Sequence, residues 1–135
     1  MLRSRPSRSI LAAMEPIVVA DDSVTVLSMV SARLERAGFD VVTAGRGDEA
    51  LRLIEELHPR IALLDVEMPG LDGLEVTRRV RADKGLAGTI VVLLTAHTAE
   101  SEIAEGFAAG ADAYLTKPFS PQELEAKVSE LLGHR

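Results

Sequence analysis

From Pro16 onward the chain alternates short apolar runs with amphipathic stretches of about a dozen residues, the pattern of repeated βαβ units around a parallel sheet. Five runs read as strands: Ile17-Val18-Val19-Ala20, Phe39 to Ala44, Ile61-Ala62-Leu63-Leu64, Thr89 to Leu94, and Ala113-Tyr114-Leu115-Thr116. The fourth is almost unbroken β-branched and leucine sequence, as a strand covered on both faces requires. Between them Leu27, Val30 and Leu34 recur at helical spacing and stop at Gly38, a residue suited to the left-handed position after a helix. Asp48 is placed to cap a helix carrying Leu51, Ile54 and Leu57, which Pro59 closes. A third helix follows Asp72-Gly73 with Val76 and Val80 on one face, and a fourth, from about Ala99 to Ala109, presents Ile103 and Phe107 together before Gly110 ends it. The last has Ser120 as cap, Pro121 at its first position, Glu123 where a capping box needs it, and an inner stripe of Leu124, Val128 and Leu131. The expected fold is α/β, a doubly wound parallel sheet of order 2-1-3-4-5.

Four of the five runs lead into a polar residue able to handle a phosphoryl group: Asp21-Asp22, Asp65, Thr95 and Lys117. In an open parallel sheet the carboxyl ends of the strands share one edge, where ligands bind, so these residues converge. Each also has an ordinary explanation: Asp21 or Asp22 as a helix cap, Asp65 as a turn former, Thr95 as a cap, Lys117 as a solvated lysine before Pro118. Those explanations do not account for the second run, which lacks such a group, ends in Gly45 and belongs at the sheet edge. Three clustered carboxylates cannot easily hold their charge without a cation, and hard oxygen ligands suit Mg²⁺. Aspartate can act as a nucleophile toward phosphorus, with Lys117 supplying an ammonium and Thr95 a hydroxyl to the transferring group.

Composition narrows the setting. The net charge is −6, yet the first thirteen residues carry Arg3, Arg5 and Arg8 and no acid, leaving twelve basic against twenty-one acidic groups in the remainder. An acidic body repels nucleic acid phosphates, so no direct nucleic acid contact is expected. Residues 1–14 read as a disordered basic tail and 15–135 as one domain. No apolar run approaches the roughly 20 residues of a membrane span. The chain has no cysteine, which is compatible with a reducing cytoplasm, the expected location.

The ordered set Asp21-Asp22-Ser23, Leu64-Asp65-Val66-Glu67-Met68-Pro69-Gly70 with Asp72-Gly73, Leu94-Thr95-Ala96, and Tyr114-Leu115-Thr116-Lys117-Pro118-Phe119 resembles a response-regulator receiver domain, the family of chemotaxis and two-component signalling proteins. The resemblance runs from about Glu15 to Leu132. It implies a flavodoxin-like (βα)5 sandwich and a signalling phosphoacceptor rather than a turnover enzyme. It further implies that Asp65 accepts phosphate from a sensor histidine kinase or phosphotransfer protein. Mg²⁺, for which Mn²⁺ could substitute, would be bound by Asp22 and Asp65 directly, by Asp21 through water and by the Glu67 backbone carbonyl. Lys117 and Thr95 would hold the phosphoryl oxygens, and Thr95 and Tyr114 would switch the face of the fourth helix, fifth strand and fifth helix toward a downstream protein target or a phosphorylation-dependent homodimer. The Lys117-Pro118 peptide is usually cis in such proteins. Glu67 and His97, each two residues past a site residue, are expected to flank the entrance for attacking water and to tune phosphoryl lifetime, unless both are exposed and inert.

Two other classes compete. An aspartyl-phosphate phosphohydrolase would place its nucleophile as the first of two separated aspartates after the first strand, whereas Asp21 and Asp22 are adjacent and the best nucleophile follows the third. A phosphorylation-independent interaction module would not need the acidic cluster, Thr95 and Lys117. Only Gly133, His134 and Arg135 follow Leu132, so a stand-alone receiver is favoured over an excised piece of a longer regulator, both remaining open.

Overall fold

The computed structural model describes residues 16–133; the basic tail expected over residues 1–14 lies outside them. Strands β1 (Pro16–Ala20), β2 (Asp40–Ala44), β3 (Ile61–Asp65), β4 (Ile90–Thr95) and β5 (Ala113–Thr116) form one parallel sheet in the order β2-β1-β3-β4-β5. Helices α1 (Val24–Arg36), α2 (Gly47–Leu57), α3 (Gly73–Ala82), α4 (Glu100–Ala109) and α5 (Pro121–Leu132) alternate with the strands, and a 3₁₀ turn at Lys84–Leu86 precedes β4. This is the doubly wound (βα)5 fold expected from the apolar pattern. Among the described residues no helix is long and apolar enough to cross a membrane.

Period-two side-chain alternation divides the core between the two faces of the sheet. Val18, Ala20, Ala62, Leu64, Val91 and Leu93 meet Leu51 and Ile54 of α2 and Val76 and Val80 of α3. Ile17, Val19, Ile61, Leu63, Val92 and Leu94 meet Val30 and Leu34 of α1 and Leu124, Val128 and Leu132 of α5. The central β3 is therefore buried at every position, while edge strand β2 exposes Asp40 and Thr43. Truncating a fully buried residue such as Leu63 to Ala would cost about 2–5 kcal/mol.

The helix ends follow local chemistry. Ser23 caps α1 through Val26 N–H, Asp72 caps α3 through Glu75 N–H, and Ser120 and Glu123 form the capping box of α5. Three expectations need correction. Asp48 does not cap α2: Arg46 holds that position without a side-chain bond, and Asp48 sits in the first turn, its carboxylate paired with Arg46 and accepting from Glu49 N–H. Leu57, in the last turn before the left-handed His58, is 38% exposed and does not join the core. Phe107 of α4 is 46% exposed and Ile103 only half-buried, because α4 sits on the sheet through Gly106 and Ala109.

Candidate functional site

Strand register builds the site. Ala20 lies beside Leu64, and Asp65 beside Leu94, so Asp21 emerges level with Asp65 and Thr95 one step beyond. The Asp21 N–H donates to Ala44 carbonyl at 3.1 Å, which fixes its turn, and Lys117 N–H donates to Thr95 carbonyl at 2.8 Å, which brings the lysine back over the same edge. The loop after β3 returns so closely that Gly73 N–H donates to Val66 carbonyl at 2.8 Å, and a Cβ on Gly73 would stand 2.4 Å from the Asp65 carbonyl oxygen. Glycine is thus required for α3 to start where it does. The Lys117-Pro118 peptide is cis.

One carboxylate oxygen from each of Asp21, Asp22 and Asp65 lies within 4.8 Å of the others. Asp21 is fully buried, Asp65 is 6% exposed and Asp22 faces solvent. Lys117 Nζ approaches Asp21 Oδ2 at 2.7 Å and Asp65 Oδ1 at 3.4 Å. Asp21 Oδ2 is buried and faces this ammonium. Asp21 Oδ1, by contrast, accepts from Ser23 N–H at 2.9 Å, which ties the acidic turn to the start of α1.

One ammonium shared by two acids leaves the site under-neutralised. Burial, and after it the Asp21 charge, push the Asp65 carboxyl up to about 6 against the pull of Lys117. Burial works against the charge on Lys117, but Asp21 and Asp65 prevail and hold its pKa above the ordinary lysine value. The three converging carboxylates, two of them sharing one ammonium, and the disfavoured charge on Asp65 are what a hard divalent cation such as Mg²⁺ would relieve, so the donor set fits one.

A cavity of about 200 Å³ opens over the cluster, lined by Asp22, Asp65, Glu67, Thr95, His97 and Lys117, with Ala96 completing the wall. Thr95 is buried, and its Oγ1 accepts from His97 N–H at 2.9 Å; it does not cap α4, whose cap position is Ala99. Glu67 N–H donates to Asp65 Oδ1 at 3.4 Å. The His97 ring bridges two carboxylates at the rim, with Nε2 2.7 Å from Glu67 Oε2 and Nδ1 3.2 Å from Glu102 Oε2. The Glu67 bond and then the Glu102 charge raise the His97 pKa above its usual value. Tyr114 does not line this cavity. It borders an adjoining one of about 220 Å³ that shares Glu67, Thr95 and His97, and its hydroxyl donates to the Glu102 carbonyl at 2.8 Å. Burial, with Glu102 and Glu105 adding to it, raises the Tyr114 pKa.

Asp21, Asp22, Asp65, Glu67, Thr95, His97 and Lys117 thus come together as expected from the sequence, with Tyr114 next door. Nothing local in the sequence marks Glu102, since its carbonyl acceptor for Tyr114 leaves no side-chain signature and its carboxylate meets His97 only through the fold. The same holds for the pairing of Arg81 with Asp112 at 2.6 Å, which joins α3 to the start of β5.

Residues 17–129 match the family profile of the response regulator receiver domain. The DNA-binding response regulator MtrA of Mycobacterium tuberculosis is 41% identical over 112 residues, covering 83% of this chain and 48% of that protein. The chain spans about half the length of the curated relatives it matches. A crystal structure of a response regulator, described as putative, from Chloroflexus aurantiacus superposes with a TM-score of 0.83 at 37% identity, covering 90% of this chain and 99% of that one. The receiver domain of the sensor histidine kinase PA1611 from Pseudomonas aeruginosa, solved with magnesium coordinated in its active-site cleft, superposes at 0.82 with 28% identity, covering 89% and 98%. The expectation of no direct nucleic acid contact finds no support in a relative named for DNA binding.

Proposed function

The chain belongs to the response regulator receiver domain family of two-component signalling, and we propose that Asp65 is its phosphoacceptor, charged by a sensor histidine kinase or phosphotransfer protein. The observation that carries this reading is the Asp65 carboxylate at the floor of the cavity, with Lys117 at 3.4 Å and Asp21 and Asp22 beside it. A divalent cation held by Asp21, Asp22, Asp65 and the Glu67 carbonyl would neutralise the carboxylates and phosphoryl oxygens so that they can meet, a reading supported by the magnesium in the PA1611 cleft.

In the transfer an Asp65 oxygen forms a bond to phosphorus as the bond from phosphorus to the donor imidazole breaks, and the imidazole leaves with the electron pair and takes a proton from solvent. Lys117 moves its ammonium from a carboxylate oxygen to a phosphoryl oxygen. Thr95 turns its hydroxyl toward the phosphoryl group, giving up the bond it accepts from His97 N–H. That rearrangement changes the cavity beside Tyr114 and so biases the face of α4, β5 and α5 toward a downstream protein target or a second phosphorylated copy. The protein acts as a signalling phosphoacceptor whose chemistry is confined to its own transfer and hydrolysis, in the cytoplasm with its kinase. Glu67 and His97, joined across the cavity mouth, restrict attacking water; unchanged dephosphorylation in both Glu67→Ala and His97→Ala would reject that role.

Intact mass after incubation with acetyl phosphate and Mg²⁺ tests the reading. One added phosphoryl group in wild type, absent in Asp65→Asn and after chelation, is the expected result. No adduct and no continuing consumption of acetyl phosphate would overturn it.

A further inference from the structure

Gly106 sits buried in the interior of α4, where glycine is the poorest helix former other than proline. Its surroundings explain its presence. A Cβ at this position would stand 2.5 Å from the Tyr114 hydroxyl, 2.6 Å from Tyr114 Cε1 and 2.9 Å from Leu93 Cδ1. The leucine methyl ends a flexible chain and can rotate aside, whereas the tyrosine ring is rigid and moves as a unit.

That ring is held from two sides. Its hydroxyl donates to the Glu102 carbonyl at 2.8 Å, one helical turn before Gly106, and its face tilts against Phe107 with centroids 5.5 Å apart. Glu102 is itself tethered, since its carboxylate pairs with His97 Nδ1 in the loop that follows Thr95. The ring also borders the cavity of about 220 Å³ lined by Thr95, His97 and Glu102, to which Gly106 does not contribute. Tyr114 therefore stands between the glycine and an open space adjoining Thr95.

We propose that Gly106 is the positioning residue of Tyr114: the missing side chain forms a socket in α4 that keeps the ring out of the Thr95 cavity. The proposal rests on the reading in which Thr95 and Tyr114 change together on phosphorylation. A methyl group at 106 fills the socket and drives the ring into the cavity without any phosphoryl group.

Tyr114 is the sole tyrosine and the chain has no tryptophan, so tyrosine fluorescence and a single 3-fluorotyrosine resonance report on this ring alone. In Gly106→Ala without phosphodonor, the ¹⁹F resonance should be displaced from its wild-type position and acrylamide quenching of the tyrosine should fall. An unmoved resonance, or stronger quenching as the ring is expelled to solvent, would overturn the proposal. A purely structural role is separated by a second background: Gly106→Ala should lower the melting temperature when Tyr114 is present and not when Tyr114 is Ala. An equal loss in both backgrounds would show that the methyl meets something other than the ring, and would also overturn it. The comparison is made without phosphodonor, so failure of wild-type Asp65 to take up phosphate would count against the phosphoacceptor reading and leave the socket decided on its own data.

Discussion

Replacing Asp65 by Asn should stabilise the metal-free protein at neutral pH, although it removes the residue on which function is proposed to depend. Asn keeps the shape and deletes the charge. Asp65 is 6% exposed and its carboxyl is raised from 3.8 to about 6, so its ionised form opposes the fold by at most about 3 kcal/mol, less where solvent screens it. An acid whose folded pKa lies above its unfolded one binds more protons when folded, so its penalty is complete above about 6, shrinks as pH falls through that value, and is gone below 3.8. For a domain of this size that ceiling corresponds to a gain of at most about 10 °C in melting temperature. The assay is thermal melting of wild type and Asp65→Asn in chelator, from neutral pH down to about pH 4. Magnesium should narrow the gap from the other side, because a cation binding only the folded wild type at a hundred times its Kd adds about 2.7 kcal/mol. Wild type melting at or above Asp65→Asn in chelator at neutral pH, or a gap indifferent to acid, would refute the argument that burial and Asp21 disfavour this charge.

Lys117→Met removes the ammonium shared by Asp21 and Asp65 and should cost about 2–3 kcal/mol in urea unfolding at neutral pH, less than for a fully buried pair because the lysine is partly exposed. The loss should diminish in acid as Asp65 takes up its proton. NMR titration in chelator should place the His97 pKa above its usual value, and Glu67→Gln should bring it down; an unchanged value in that variant would contradict the 2.7 Å pairing. Asp112→Ala should cost about 1–3 kcal/mol by urea unfolding, since Asp112 Oδ2 accepts from both Val91 N–H and Arg81.

The strands were legible because β1, β3 and β4 are short apolar runs with no polar interruption, and parallel pairing brings their carboxyl ends to one edge whatever the loops do. The acidic cluster, Thr95 and Lys117 follow from that geometry. What a helical stripe touches was less legible. Periodicity puts Ile103 and Phe107 on one side of α4, but the side that meets the sheet is set by Gly106 and Ala109, whose small size admits Tyr114 and close packing. Leu57 continues the stripe of Leu51 and Ile54 yet lies in the last turn, where the sheet no longer covers it. Asp48 resembles a cap by type, but α2 begins one residue before it, so its carboxylate serves the first turn through Glu49 N–H and pairs with Arg46, which holds the cap position. The links through Glu102 and between Arg81 and Asp112 join residues distant in sequence by contacts that no local pattern encodes.

Reductive trapping identifies the carboxylate that takes the phosphoryl group. Protein incubated with acetyl phosphate and magnesium is reduced with borohydride, which converts an acyl phosphate to an alcohol, and the digest is sequenced by mass spectrometry. Homoserine is expected at position 65, and is expected to be absent when magnesium is withheld. Homoserine at Asp21, Asp22 or Asp72 with Asp65 intact would contradict it.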